Sequence, residues 1–210
     1  MADIFDEVNE DLKRDQMQKL WSRFGKYVIL AVSIVVLGVG GRQGYTTWKG
    51  HEAATAATLY HNALRASDLK TALMAELDQL SPGYAMLAQF RIAAAQAFDK
   101  DYAAAEKSYL AISTNPAVKQ LYQQAALLLS VMNAPVNRSA DELATRLALL
   151  EGQAGPWQAM ALEQAAGLAL RVGDRKTAIA KYTTLAGLSD IPPGVRQRAS
   201  QMLKILNGST

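Results

Sequence analysis

Residues 84–112 and 157–185 match at a constant offset of 73 residues, and this internal duplication constrains the fold more than anything else in the chain. Tyr84 falls on Trp157, Ala88 on Ala161, Asp101 on Asp174, Ala105 on Ala178, Tyr109 on Tyr182 and Ile112 on Leu185. Each copy reads as a helix of about sixteen residues, a tight turn and a second helix of about a dozen. The turns are Asp99-Lys100-Asp101 and Gly173-Asp174-Arg175. A unit of this size cannot bury its apolar face alone and has to stack on further copies. The residue sizes suit stacking. Ala93, Ala105, Ala166 and Ala178 allow two antiparallel helices to approach closely, and Tyr109 and Tyr182 fill the groove to the next pair.

An offset of 73 is two units of about 34 residues with a small insertion, which is the tetratricopeptide period. The intervening pair starts with a helix over Ala117 to Met132, opened by Asn115-Pro116, with Leu121, Ala125, Leu128 and Met132 on one stripe. Asn133 to Arg138 is the loop that takes the insertion. Ser139-Ala140-Asp141-Glu142 has the form of a capping box for a helix over 140–151, with Leu143, Leu147 and Leu150 inward. Upstream, residues 50–66 present Ala56, Leu59, Tyr60 and Leu64, Ser67-Asp68 supplies a cap, and 69–80 reads as the partner helix. Downstream, Pro192-Pro193-Gly194 opens a last helix over 194–207. There Arg196, Arg198 and Lys204 alternate with Val195, Ala199, Met202 and Leu206, as in a capping helix with one wet face. The expected fold is all-α: a single transmembrane helix followed by a tetratricopeptide-like right-handed superhelix of antiparallel helix pairs.

The transmembrane expectation rests on residues 27–48, YVILAVSIVVLGVGGRQGYTTW. Residues 27–41 carry no charge but reach only about 22 Å as a helix, short of a hydrocarbon core of roughly 30 Å. Counting to Trp48 gives about 33 Å, provided that Arg42 runs its stem along the helix to the interface. Phe24, Tyr27, Tyr45 and Trp48 fit two aromatic belts. An uncleaved anchor is weighed here against a buried core helix and a cleaved signal peptide. Five flanking basic residues speak against the core helix. The distance to Ala54-Thr55-Ala56, the nearest small-x-small pattern, speaks against cleavage. Lys13, Arg14, Lys19, Arg23 and Lys26 precede the run, and only Arg42 and Lys49 follow closely, so the N-terminus is expected in the cytoplasm. The expected divisions are a cytoplasmic amphipathic segment over 1–26, the span over 27–48 and a periplasmic repeat domain over 49–210. In the first of these, acidic residues come before basic ones, which suits both the helix dipole and anionic headgroups.

Little in the chain offers chemistry. With no cysteine there is no thiolate nucleophile, disulfide or Cys-based metal site. From Gly50 onward fifteen Lys/Arg face thirteen Asp/Glu, too even for a nucleic-acid stripe. His51 and His61, ten residues apart on a helix, point about 80° apart and lie about 15 Å apart along the axis, so they cannot share a metal. Asp99 and Asp101 sit at a helix–helix turn, where Asp serves as a cap. No catalytic residue, metal or cofactor is expected, and the chain reads as a non-enzyme. The candidate binding residues are Arg91, Lys119, Gln123 and Gln164, on the first helices of pairs, which line the concave face of such repeats. Gly40, Arg42 and Gly44 are the candidate docking residues of the anchor, because Gly40-x-x-x-Gly44 admits close approach of a second span.

These segments also carry a resemblance. The anchor and its continuation GKYVILAV…LGVGGRQGYTTWKGHEAATAATLYHNALRA, then YAMLAQFRIAAAQAFDKDYAAAEKSY, then GPWQAMALEQAAGLALRVGDRKTAIAKY, resemble the ancillary SecYEG translocon subunit family, the YfgM-like proteins with a tetratricopeptide-like domain. The resemblance implies a single-pass bacterial inner-membrane protein beside the Sec translocon. Its periplasmic repeats would meet a periplasmic chaperone or a nascent chain, without enzymatic activity. The alternative is a structural or assembly subunit of another inner-membrane complex, respiratory or cell-division.

Overall fold

A computed structural model describes the backbone of residues 3–208, and within it the side chains of residues 21, 26–27 and 33–208. All regular structure among the described residues is helical. The elements are α1 (Asp3–Leu64), α2 (Leu69–Glu76), a 3₁₀ turn (Leu77–Gln79), α3 (Pro82–Phe98), α4 (Tyr102–Ser113), α5 (Gln120–Met132), α6 (Ala140–Glu151), α7 (Gln158–Arg171), α8 (Arg175–Gly187) and α9 (Pro193–Gly208). The chain divides into two compact units, Met1–Thr55 and Ala56–Thr210.

In the first unit the backbone is the helix α1, which continues past Trp48 without a break, as the absence of proline there predicts. The side chains of Ile34, Val35, Val36, Leu37 and Val39 are exposed. The Tyr45 and Trp48 rings lie 6.5 Å apart on one face. The expected transmembrane span over 27–48 is not found: among the described residues no helix is long and apolar enough to cross a membrane. The physical reason is length. The uncharged run from Tyr27 to Gly41 extends only about 22 Å before Arg42, short of a hydrocarbon core of roughly 30 Å. The side chains of residues 28–32 of the expected span, and nearly all those of the expected amphipathic segment 1–26, lie outside the described residues.

The second unit is a stack in which each helix from α2 to α9 packs on the next in sequence. Its core is divided in four along the chain. Ala56, Tyr60 and Ala63 of α1 close on Leu73, Leu80, Ala88 and Ile92. Ala93, Tyr109, Ile112, Val118 and Ala126 follow, then Leu128, Leu147, Leu150, Ala161 and Ala165. The largest group joins α7, α8 and α9 through Ala166, Ala178, Tyr182, Leu185, Val195, Ala199 and Leu206. The duplicated positions behave alike. Ala93, Ala105, Ala166 and Ala178 are fully buried, and Tyr109 and Tyr182 reach forward into the following pair.

Side-chain caps start three of the helices, α2, α4 and α8. Asp68, Asp101 and Asp174 each accept a hydrogen bond from the backbone N–H three residues on, at 3.0 to 3.1 Å. The equivalent turn residues Lys100 and Gly173 both adopt positive φ, +64° and +81°. Three expectations are corrected. The helix expected from Ala117 starts at Gln120, because Asn115 folds residues 115–118 into a turn: its side chain accepts from Ala117 N–H and its carbonyl from Val118 N–H. The stripe on that helix is displaced, with Ala125, Ala126 and Leu128 buried but Leu121 and Met132 exposed. The expected capping box does not form: Ser139 starts α6 without a side-chain cap, and Glu142, its acid, is turned to Arg146.

Candidate protein-binding surface

Among the described residues, the charged groups most deeply placed do structural work. Glu106 on α4, with a side chain only 2 % exposed, meets two guanidinium groups. Arg138 donates to its Oε2 through Nη2 at 2.5 Å and Nε at 3.1 Å, and Arg146 of α6 donates to its Oε1 at 2.6 Å. Arg146 also donates to Glu142 at 2.5 Å, making a neutral cluster of two arginines and two glutamates. Burial pushes the Glu106 carboxyl up, but the hydrogen bonds and charges of Arg138 and Arg146 outweigh this and hold it below the usual glutamate range. The same device recurs along the stack. Lys181 of α8 pairs with Glu151 of α6, and Arg198 of α9 pairs with Glu163 of α7 at 2.7 Å. Each pair links alternate helices, α4–α6, α6–α8 and α7–α9, and so fixes how successive pairs rotate on one another.

Clefts lie between these links. One of about 290 Å³ is walled by Met74, Leu77, Ile92 and Ile112, with Gln96 and Ser108 hydrogen-bonded at 2.7 Å. A second, of about 330 Å³, lies over α7 between α6 and α8, among Ala144, Ala148, Ala165, Leu168, Ala169 and Lys181. The two are repeat equivalents: Ile92, Gln96 and Ser108 occupy the positions of Ala165, Ala169 and Lys181. A smaller cleft of about 180 Å³ is bounded by Val131, Leu143, Gln164, Gly167 and Arg171. A further cleft, of about 670 Å³, opens between the α6–α7 and α8–α9 connections. Such open, mostly apolar clefts suit side chains of a docked polypeptide, and no pairing of nucleophile with base is found among the groups lining them.

The sequence-derived binding residues separate on this surface. Gln164 lines the 180 Å³ cleft. Arg91, its repeat equivalent, is exposed on α3. Lys119 is exposed at the start of α5. Gln123 is turned inward, its amide donating to Asn115 C=O at 2.7 Å, so it holds the α4–α5 connection. Gly40 and Gly44 in the first unit have open space where a Cβ would stand, and Arg42 is exposed beside them. His51 and His61 are both exposed. The cluster around Glu106 escapes sequence reasoning because its partners lie 32 and 40 residues away; a lone Glu within YAAAEKSY is the only signal.

The family model of the tetratricopeptide repeat-like domain matches residues 18–204. The chain belongs to the tetratricopeptide repeat-like domain family. No curated protein and no solved structure matches it. The tetratricopeptide repeat-like domain is an interaction module, which agrees with the duplicated helix pairs and with the clefts between them. Its match begins ahead of the apolar run 27–48 and so includes that run.

Proposed function

We propose that the chain is a non-enzymatic adaptor that binds polypeptide partners through clefts of its repeat unit, held at the bacterial inner membrane beside the Sec translocon. The observation that carries the first half is the stack of pairs α3–α4, α5–α6 and α7–α8 with open apolar clefts, in a chain of the tetratricopeptide repeat-like domain family. Three things support the membrane reading. Basic residues concentrate before residue 27. The exposed aliphatic residues 34–37 and Val39 form one run that needs a cover. The segments resemble the YfgM-like translocon subunits. On this reading the N-terminus is cytoplasmic, and the repeats meet a periplasmic chaperone or an emerging chain.

Site-specific photo-crosslinking from Val35 and Trp48 in native membranes tests the location. Capture of SecY or its neighbours is the expected outcome. Failure to capture any translocon subunit, alongside a stoichiometric tight complex of other composition, overturns it in favour of a structural subunit. Crosslinking from Gln164 tests the binding face separately, with unfolded polypeptide or chaperone as the expected catch.

A further inference from the structure

Charge is shared unevenly between the two helices of a pair. The first helices α3, α5 and α7, with α9 in the place of a fourth, hold Arg91, Arg171, Arg196, Arg198 and Lys204 against Glu163 alone, net +4. The second helices α2, α4, α6 and α8 hold six Lys/Arg against five Asp/Glu, net +1. The near-even total over the whole unit conceals this division. Internal pairing deepens it. Glu163, the one acid of the first helices, is held by Arg198 at 2.7 and 2.8 Å. Arg196 donates to the carbonyls of Leu188 and Ser189, next to Asp190. Arg91, Arg171 and Lys119, the last standing immediately before α5, are exposed and make no ion pair among the described residues. The acids of the nearest turns are engaged elsewhere. Asp99 pairs with Lys70 at 3.0 Å, and Asp101 and Asp174 cap α4 and α8. The cation that acts on Asp174 is Lys176, not Arg171.

The first helices lie side by side. Ala93 of α3 and Ala126 of α5 share one core group, the Trp157 indole at the start of α7 reaches Leu121 C=O of α5, and Arg198 of α9 reaches Glu163 of α7. Arg171 lines the 180 Å³ cleft with Gln164 and, from α5, Val131. Arg91 holds on α3 the position that Gln164 holds on α7. Apolar side chains are exposed beside these groups: Leu87 one turn before Arg91, Leu121 and Tyr122 just after Lys119, and Met160 one turn before Gln164.

We propose that the first helices bind a polypeptide segment in which carboxylates stand among apolar side chains. Arg91, Lys119 and Arg171 each take a carboxylate, and Leu87, Leu121 and Met160 meet the apolar residues. This rests on the polypeptide-binding reading above and adds the chemical class of the partner. A nucleic acid fits less well, because apolar side chains rather than further cations stand beside the three charges. An anionic lipid surface supplies charge but no side chain for the 180 Å³ cleft.

Fluorescent peptides of equal length, alternating leucine with glutamate, glutamine or lysine, are the probes. With the full chain in mild detergent, the glutamate peptide is expected to bind about tenfold more tightly than the glutamine peptide, and the lysine peptide more weakly than either. Added salt should erase most of that difference. Arg91→Gln, Lys119→Gln and Arg171→Gln should each weaken the glutamate peptide several-fold, with the glutamine peptide and the helical circular dichroism unchanged. Lys107→Gln, exposed on the second helix α4, is the control and should change neither peptide. Placing Glu at all three positions should reverse the preference in favour of the lysine peptide. Equal binding of the glutamate and glutamine peptides overturns the proposal and leaves the polypeptide-binding reading standing, whereas binding of no peptide removes both. A Lys107→Gln variant that weakens the glutamate peptide as much as Arg171→Gln also overturns it. So does tighter binding to single-stranded DNA or to phosphatidylglycerol vesicles than to the glutamate peptide.

Discussion

The α3–α4 pair and the α7–α8 pair are two solutions to one packing problem, and they differ where their neighbours differ. Their frames agree. Ala105 and Ala178 are fully buried, Tyr109 and Tyr182 reach forward, and Asp101 and Asp174 cap the second helix. Their first residues both reach back, by different means: Tyr84 lies 5.4 Å from the Tyr60 ring, while the Trp157 indole donates to Leu121 C=O at 2.9 Å. The sharpest contrast is one position after the shared alanine. Glu106 in the first pair answers two arginines, whereas its equivalent Ile179 packs on the apolar group of α7, α8 and α9. The following pair decides which residue fits. A helix carrying Arg146 and a loop carrying Arg138 call for a carboxylate, and the apolar face of α9 calls for an aliphatic side chain.

Glu106→Ile makes the first pair resemble the second and leaves Arg146, only 13 % exposed, without its main partner. A loss of about 3 kcal/mol is expected, read from urea unfolding of the purified chain. Adding Arg138→Leu and Arg146→Leu should recover most of it, since an apolar replacement of a whole buried cluster is close to neutral. Without recovery, the cluster would be more than a local match of neighbours. Acid sharpens the same contrast. The Glu106 carboxyl is depressed, so its contribution is complete above the ordinary glutamate value of 4.5 and fades as pH falls through its lower folded-state value. The natural chain should lose stability over that window more steeply than the triple variant in parallel acid titrations of the far-ultraviolet signal.

A smaller effect tests the shared frame. Ala105→Leu and Ala178→Leu should each cost about 2 kcal/mol by overpacking, and by similar amounts in thermal melts. Unequal costs would show that one pair gives way more easily than the other. The smallest effect lies at the turns. Gly173→Lys should cost about 1 kcal/mol, because a side chain meets strain at positive φ, and Lys100→Gly should stabilise by about half as much. A loss from Lys100→Gly would mean that the lysine makes an interaction its backbone geometry does not reveal.

The part of this fold legible in the sequence is the part written locally. Alanines at helical spacing announce close approach, and Asp at a turn announces a cap, because each signal and its effect lie within a few residues. The same property makes the duplication visible. What cannot be read depends on distant partners or competing neighbours. Glu142 has the spacing of half a capping box, and Arg146, four residues on, holds it instead. Leu121 has the spacing of a core residue, yet its side chain is exposed while its carbonyl receives Trp157, 36 residues away. Gln123 sits where a binding residue would, and its amide is spent on the turn that delays the start of α5. The apolar run 27–48 shows the limit of composition. A count of uncharged residues gives a length, but whether Arg42 belongs to the interface or to a partner depends on surroundings the sequence does not contain.

The division of the core into four groups has a consequence for how the chain matures. The last group, joining α7, α8 and α9, gathers ten buried residues, against five in each of the two groups before it. Synthesis runs from the N-terminus, so the best-consolidated part of the stack is the last to be made. Each group needs only the helices that build it: the first, of seven buried residues, is complete with α3, and the second with α5. A stack divided in this way can consolidate group by group as the chain emerges, with α7 to α9 closing the series last.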